Sequence, residues 1–314
     1  MKPDYTLLDQ TAQALGCPLR ADEPMARHTT FQIGGPADRF LTVENAAQLQ
    51  GLLSCLRQAG IPYLVLGKGS NLLVSDKGIR GAVLHLGGDF KKVEVLPDGR
   101  TLRAGAGAPL ASVCALARER SLTGLEFAWG IPGSVGGGAY MDAGAYGGEM
   151  RDVVSRVLHL GPDGAPGEAR GEELCFGYRK SRYTGGEDII TAVEFTLQPG
   201  DPAAIAGKME ELMGRRKDKQ PYDMPSAGSV FKRPQNGCRR PHRAVRPEGP
   251  PGGGRAGQRE ARGLYCKYRR RRLPGRAGAD LHHPKDGGGA DRHPPGVRGA
   301  GDRGRVRRER GWNL

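Results

Sequence analysis

Two glycine-rich segments of the sequence have residue types that could hold a bound anion. The first spans Gly67–Asn71 and reads GKGSN. Gly67 and Gly69 permit positive φ and close backbone approach, so that successive N–H groups can point at a phosphate, and Ser70 and Asn71 add side-chain donors. The spacing matches neither a P-loop nor the Rossmann GxGxxG pattern. A phosphate cradle and a tight turn between two strands both remain open for this segment.

The second segment spans Gly130–Gly148 and has eight glycines in nineteen residues. So many glycines weaken regular structure unless something must approach the backbone closely. A flexible linker is the alternative, but linkers rarely embed large apolar side chains such as Ile131, Tyr140 and Tyr146. The pattern favours a cofactor loop.

Alternating helices and strands must position these two loops. Leucines on one face predict a helix over Asn45–Ala59 that ends at Gly60, and Tyr63–Leu66 is typical of a short buried strand leading into the first loop. The same criteria predict strands at Leu72–Val74, Ala82–Leu86, Val93–Leu96, Leu102–Ala104, Val153–Leu160 and Ile189–Leu197, and helices at Pro109–Arg120 and Pro202–Arg216. The order indicates an α+β fold with mixed sheets and a domain boundary near Pro199–Pro202.

Five motifs together resemble one family, the UDP-N-acetylenolpyruvoylglucosamine reductases. They lie at Arg27–Asp38, Leu66–Asn71, Gly124–Gly137, Gly177–Ser181 and Ala227–Lys232, in the order and spacing of that family, and cover about residues 20–234. The resemblance implies an FAD-binding fold of the vanillyl-alcohol-oxidase (PCMH) type over residues 1–198, built of two subdomains. A smaller α/β substrate domain would begin within residues 199–234.

The resemblance also implies the reaction and the cofactor contacts. NADPH would reduce FAD, which would pass hydride to the enolpyruvyl group of a UDP-sugar and yield UDP-N-acetylmuramate for peptidoglycan. FAD contacts would come from Gly67, Gly69, Ser70, Asn71, Ile131, Pro132, Gly133, Ser134, Gly136 and Gly137, and no metal is expected.

Five further residues acquire roles from the same motifs. Arg179 would stabilise the substrate carboxylate, although a surface ion pair is its alternative, and Ser229 would donate the proton, although it could be a turn residue. Lys232 would contact substrate or polarise Ser229. Arg216 and Lys219 would hold the substrate diphosphate, with solvated charges at a helix end as the alternative.

The last eighty residues do not continue this pattern. The family's third catalytic residue is a glutamate in a stretch resembling LEPEV, which this chain lacks. Residues 235–314 contain no Ser, Thr, Ile, Phe or Met and are rich in Arg, Gly and Pro. Read literally, this composition predicts a disordered basic tail.

Reading the tail one nucleotide later changes its character. Back-translated in that frame, residues 257–268 permit VSEKHAGFIVNT, residues 241–249 permit LIEQSGLKG, and residues 295–299 permit LESEV with its glutamate. These peptides resemble the family in the same order. The sequence therefore predicts a frame change near Asn236–Cys238 and a disrupted substrate domain.

Charge and cysteine usage constrain the remaining alternatives. Residues 235–314 hold 21 of the 48 basic and 7 of the 34 acidic residues, so residues 1–234 are neutral overall. The cysteines form no CxxC pair, and no signal peptide or apolar span is visible, so we expect a monomeric cytoplasmic protein with no specific nucleic-acid or membrane partner. An RNA-binding protein with an Arg/Gly tail and an FAD oxidase of the same fold are the alternative functions.

Overall fold

The computed structural model of the chain describes residues 3–220, 224–226 and 228. The predicted tail at 235–314, Ser229 and Lys232 lie outside these residues. The helices are α1 (Thr6–Ala14), α2 (Ala46–Gln58), α3 (Leu110–Glu119), α4 (Val135–Tyr140) and α5 (Pro202–Lys219). The strands are β1 (Leu19–Pro24), β2 (Pro36–Val43), β3 (Tyr63–Leu66), β4 (Ile79–Leu86), β5 (Val93–Val95), β6 (Thr101–Gly105), β7 (Leu122–Thr123), β8 (Gly144–Ala145), β9 (Gly148–Glu149), β10 (Val154–Leu160), β11 (Pro166–Arg170), β12 (Ile189–Thr196) and β13 (Gln198–Pro199).

A four-stranded mixed sheet forms the first half of the fold. Its order is β1-β2-β4-β3, with β1 antiparallel to β2 and with β2 and β3 parallel to β4. The helix α2 is capped by Asn45, whose side chain accepts a hydrogen bond from the Gln48 amide at 3.0 Å. Leu49, Leu52 and Leu56 on its inner face are fully buried, which confirms the predicted amphipathic helix.

A five-stranded antiparallel sheet forms the second half, in the order β11-β10-β12-β6-β5. Buried side chains of this sheet, including Leu102, Val193 and Phe195, belong to the same continuous core as Leu41 and Leu84 of the first sheet. Because both sheets share one core, the loops that leave them are held in fixed positions. The predicted α+β class with mixed sheets is therefore confirmed.

One predicted strand is wrong, and several elements were not predicted, among them the helices α1 and α4 and the strands β1, β2 and β11. Residues Leu72–Val74 form a loop rather than a strand, since they pair with no strand of the described sheets, although Val74 is buried in a small separate core with Met25 and Phe40. The short helix α4 lies inside the second glycine segment, where three consecutive glycines hide its helical pattern from the sequence.

No helix in the described part of the chain is both long and apolar enough to cross a bilayer.

Candidate active site

The first glycine loop follows β3 and is packed against the segment that contains His28. Gly69 has φ of +60°, and a Cβ atom there would lie 2.1 Å from the carbonyl oxygen of His28. The Gly69 carbonyl also accepts a hydrogen bond from the Thr30 amide at 3.2 Å. Any side chain at Gly69 would therefore displace the loop.

The two glycine loops touch each other. A Cβ atom on Gly67 would lie 2.0 Å from the Ser134 hydroxyl, which accepts a hydrogen bond from the Gly137 amide and caps α4. The Gly136 amide donates to the carbonyl of Ala106 at 2.8 Å and so fixes α4 beside β6. Two segments about sixty residues apart are thus brought into one place, as their proposed shared ligand requires.

Gly133 differs from these tightly packed glycines. A Cβ atom on it would lie 3.5 Å from the Leu110 side chain and 4.0 Å from the Ser70 hydroxyl, which are ordinary contact distances. The Gly133 amide donates to the carbonyl of Ile131 at 2.8 Å, so that Pro132 lies in a tight turn. The protein therefore leaves room above Gly133, beside the first loop.

A cavity of about 370 Å³ opens beside the first loop. It is lined by Arg27, His28, Thr29, Thr30, Leu66, Gly67, Lys68, His85, Lys91, Gly107 and Pro109. Five of these side chains can carry a positive charge, and none is a carboxylate. A cavity lined in this way favours an anionic ligand.

Both histidines of the cavity stack on Phe40. The ring centroids of His28 and Phe40 lie 4.0 Å apart, and those of Phe40 and His85 lie 5.9 Å apart. Burial, together with the nearby charges of Lys91 and His28, lowers the pKa of His85 below its ordinary value. The buried Nδ1 atom of His85 has no hydrogen-bond partner among the described residues.

Arg179 reaches the first glycine loop. One of its guanidinium nitrogens donates to the Asn71 side-chain oxygen at 3.1 Å. Arg179 is the third residue of a turn closed by reciprocal backbone hydrogen bonds between Gly177 and Lys180, at 3.0 and 2.9 Å. Its φ of +59° is a value that non-glycine residues rarely adopt, and such strain is often found at functional sites.

Buried contacts hold the segment that carries Arg179. The Ser181 hydroxyl donates to the carbonyl of Tyr140 at 2.7 Å, and the Tyr183 hydroxyl lies 3.0 Å from Nδ1 of His159. Tyr183 is 1% exposed. These contacts join the segment to the second glycine loop and to β10.

The segment before Ser229 also approaches the first glycine loop. The Ser226 amide donates to the carbonyl of Thr30 at 3.1 Å, and the Thr30 hydroxyl donates to the carbonyl of Ser226 at 2.6 Å. Gly228 has φ of +80°, and a Cβ atom on it would lie 3.8 Å from the Asn71 side-chain oxygen. Ser229, the next residue, is outside the described residues.

The two cations of α5 that were predicted to hold the substrate diphosphate differ in their surroundings. Arg216 is 7% exposed, its Nε atom is buried without a hydrogen bond among the described residues, and its guanidinium lies 5.5 Å from the centre of the Tyr146 ring. The second glycine segment contains Tyr146, so Arg216 is brought to the site. Lys219 is exposed. The structure gives Lys219 no contact with either loop within the described range.

These residues fit an FAD molecule. Two glycine loops in contact can present backbone N–H groups, and the adjoining cavity supplies positive charge without a competing carboxylate. A family model described as an FAD binding domain matches residues 37–166. The glucose dehydrogenase Phl p 4.0202 superposes with a TM-score of 0.50 at 18% identity, over 62% of this chain and 44% of that one, which shows a shared fold alone. The fold and site thus define an FAD-dependent oxidoreductase of the PCMH type.

More similar proteins give the particular family. The UDP-N-acetylenolpyruvoylglucosamine reductase of Heliobacterium modesticaldum is 47% identical over 212 residues, which are 68% of this chain and 67% of that protein. The crystal structure of the UDP-N-acetylenolpyruvylglucosamine reductase from Thermus caldophilus has a TM-score of 0.59 at 37% identity, over 69% of this chain and 75% of that chain. The chain belongs to the UDP-N-acetylenolpyruvoylglucosamine reductase family. Neither the RNA-binding alternative nor the oxidase alternative is favoured by this result.

The sequence analysis did not identify three side chains that line the cavity. His28, His85 and Lys91 line it, but they belong to neither glycine loop. His28 lies within a motif that carried the family resemblance, so it could have been named. His85 lies in β4 and Lys91 ends a short turn, in both cases without any local signal, and their position depends on tertiary packing.

Proposed function

We propose that residues 1–234 of this chain belong to an enzyme for the FAD-dependent reduction of UDP-N-acetylenolpyruvoylglucosamine with NADPH, a step of peptidoglycan precursor synthesis. One observation supports the site most directly, which is the convergence of three motifs on Asn71. Its side-chain oxygen accepts a hydrogen bond from Arg179, and a Cβ atom placed on Gly228 would lie 3.8 Å from the same oxygen. Residues far apart in the sequence are gathered where both cofactor and substrate would meet.

The chain's own residues have distinct tasks in this proposal. Bound FAD supplies the hydride chemistry. Arg179 binds the carboxylate of the enolpyruvyl group and stabilises the negative charge that develops there, because a guanidinium is always charged and can bind bidentately. Asn71 fixes the orientation of Arg179. Ser229 donates the proton to the carbon next to that carboxylate, with Lys232 polarising its hydroxyl.

Arg216 is proposed to bind the substrate diphosphate. A guanidinium this deeply buried requires compensation, and no carboxylate of the described residues pairs with it. An anionic ligand would supply that compensation. Lys219, which is exposed, would contribute from the end of α5.

The chain translated in its present reading frame, called the literal chain below, is proposed to lack most of this activity. The family glutamate is absent, and the predicted frame change near codon 236 would remove most of the substrate domain that begins within residues 199–234. About a third of this chain and a third of its Heliobacterium relative lie outside the segment they share. The monomeric state and cytoplasmic location stay predictions, as does the lack of a nucleic-acid partner.

Anaerobic half-reactions test this function. Adding NADPH to the FAD-loaded chain should bleach the flavin absorbance near 450 nm, because the cofactor loops are intact. Adding the enolpyruvyl UDP-sugar should then restore the absorbance only very slowly in the literal chain. A flavin that NADPH fails to reduce, or that the literal chain reoxidises rapidly with this substrate, would contradict the proposal.

Arg179 and its neighbour Arg182 offer a matched pair for the second half-reaction. Arg182 pairs with Asp188 at 3.3 Å and makes no contact with Asn71. In a frame-corrected chain, Arg179→Gln should slow reoxidation by at least about 100-fold and leave reduction by NADPH unchanged. Arg182→Gln should change neither half-reaction by more than about twofold. Equal effects of the two substitutions would exclude the role given to Arg179.

A further inference from the structure

Lys91 lies outside both glycine loops, but backbone hydrogen bonds on either side of it hold its main chain in place beside the cavity. It ends a short turn, Gly88–Lys91, whose Phe90 side chain is 5% exposed. The Gly107 amide donates to the carbonyl of Phe90, and the Gly105 amide donates to the carbonyl of Lys92, both at 2.9 Å. The turn is therefore anchored on both sides of Lys91 before any ligand binds.

Glycines are required where this turn meets the second sheet. A Cβ atom on Gly105 would lie 2.2 Å from the Phe90 carbonyl oxygen, and one on Gly107 would lie 2.4 Å from that of Leu86. Such close backbone packing fixes the place from which the Lys91 side chain extends. Positioning of this kind reduces the entropy lost when a ligand binds.

Lys91 and its sequence neighbour Lys92 are both exposed, but they differ in their partners. The Lys92 ammonium pairs with Asp89 at 2.7 Å, and its side chain is 76% exposed. Lys91 lines the cavity and forms no ion pair with a carboxylate among the residues placed by the structure. Its charge instead acts on His85, whose pKa it helps to lower. A cavity-lining lysine without a carboxylate partner favours a bound anion.

Lys68 faces the same cavity from the first glycine loop, again with no carboxylate partner in the described ranges. His28 is different, because its Nε2 lies 2.9 Å from the buried Glu23 carboxylate. Lys68 and Lys91 are therefore the two lysines whose charges the cavity leaves uncompensated. A diphosphate carries two negative charges, which two lysines can balance.

We propose that Lys91, together with Lys68, binds the diphosphate of FAD across this cavity and so adds a charge contact to the backbone cradle of the glycine loops. The inference rests on the proposed function, since it takes FAD as the ligand. Both lysines lie within residues 37–166, the segment that matches the FAD binding domain. The cavity also includes Gly67, at which the two glycine loops touch.

Flavin titration of the full-length apoprotein tests this inference. FAD fluorescence is followed at low and at moderate salt concentration for the natural chain, Lys91→Gln and the control Lys92→Gln. Lys91→Gln should raise the FAD dissociation constant about tenfold and weaken its dependence on salt, since one charge-assisted contact is lost. Lys92→Gln should remain within about twofold, and Lys91→Arg should retain most of the affinity.

Two other ligands separate the diphosphate from the rest of the cofactor. Riboflavin, which has no phosphate, should bind Lys91→Gln and the natural chain equally. The NADPH concentration that gives half-maximal flavin reduction should also be unchanged. Equal FAD affinity of Lys91→Gln and Lys92→Gln, a loss of riboflavin binding, or a raised NADPH requirement with unchanged FAD affinity would each overturn the inference. A natural chain that fails to bind FAD would instead overturn the proposed function.

Discussion

Basic side chains lie both on the solvent side of the five-stranded sheet and around the cofactor cavity, but carboxylates stand among them only on the sheet. On the sheet, Glu194 accepts hydrogen bonds from Arg103 at 2.8 Å and from Arg156 at 2.7 Å, and Arg156 also pairs with Glu168 at 3.1 Å. At the cavity, lysines and histidines line a space without a carboxylate.

This difference separates charges that serve the fold from charges that we propose to serve a ligand. A buried charge with its counter-ion beside it is already compensated, and removing either partner harms the fold. A cation without a counter-ion lowers stability slightly until an anion binds. Arg216 and Lys91 are of the second kind within the described residues. Arg216 is a residue to which the family resemblance gives a ligand, whereas Lys91 lines the cavity beside the first glycine loop.

The largest expected effect concerns the ending of the chain. Shifting the reading frame by one nucleotide near codon 236 should raise the rate of enolpyruvyl reduction by at least about 10³-fold. One lost charge-stabilising group typically costs about 10²–10³ in rate, and the substrate domain is lost as well. Steady-state oxidation of NADPH with the UDP-sugar substrate measures the gain, and Ser229→Ala in the restored chain should remove most of it.

A chain ending at Pro234 is the control for this experiment. It should stay as inactive as the literal chain, because the gain comes from the restored domain rather than from removal of the basic tail. Comparable enolpyruvyl reduction by the literal and the restored chains would show that the tail is native.

Two glycine substitutions sharpen the contrast between packing and ligand contact. Gly133→Val should leave the fold intact but weaken FAD binding by at least about 100-fold, because its side chain would enter the space beside the first loop rather than the protein. Gly69→Val should abolish FAD binding and also lower stability, since even a Cβ atom would meet the His28 backbone. Flavin titration and thermal unfolding separate the two outcomes. Unchanged flavin affinity in both variants would mean that the loops are misassigned.

Glu194 tests the compensated side of the comparison. Burial opposes its ionisation, but hydrogen bonds from Arg156 and Arg103 outweigh this and hold its pKa below the ordinary value. The stabilisation is therefore fully present above the unfolded pKa and is lost as the pH falls through the folded pKa. Glu194→Gln should lower the free energy of unfolding by about 2 kcal/mol at neutral pH, less than for a fully buried pair because the guanidiniums are partly exposed.

The matched control for Glu194 is the more exposed Glu168. Glu168→Gln should cost only about 0.5 kcal/mol, as is usual for surface pairs. Urea denaturation at pH 7 and pH 4 measures both variants. The gap between Glu194→Gln and the natural chain should narrow at the lower pH. An unchanged gap, or equal losses for the two variants, would contradict the assignment of Glu194 as a buried counter-ion.

The smallest effect concerns the backbone strain at Arg179. Arg179→Asn should raise the free energy of unfolding by about 1 kcal/mol, because asparagine tolerates the left-handed region that this turn position requires. Lys180→Asn, at a neighbouring position without left-handed backbone, should not be stabilising. Thermal unfolding compares the two. A destabilised Arg179→Asn would mean that the hydrogen bond to Asn71 outweighs the strain.

The sequence predicted the elements better than the site's side-chain contacts. The helix α2 and the strand β3 follow from local spacing and composition, which a sequence displays directly. The motif residues Gly69, Arg179 and Ser229 could be named because they resemble one family. The bond between Arg179 and Asn71 could not be predicted, since it joins residues 108 positions apart.

The failures of the sequence analysis have the same physical origin. Leu72–Val74 has strand composition, but no strand of the described sheets pairs with it. Lys91 has no local feature that distinguishes it from Lys92, and only the tertiary structure separates the lysine that lines the cavity from the one that pairs with Asp89.

The flavin content of the full-length chain is the most direct measure of whether its two glycine loops form an FAD site. Both glycine loops and the cation-lined cavity lie within residues 27–148, so the complete FAD site should be present whatever the tail encodes. Purified chain, reconstituted with excess FAD and then desalted, should be yellow and retain close to one flavin per chain by absorbance. A folded but colourless chain, with its helices and sheets intact by circular dichroism and no change in flavin fluorescence on titration, would contradict the account.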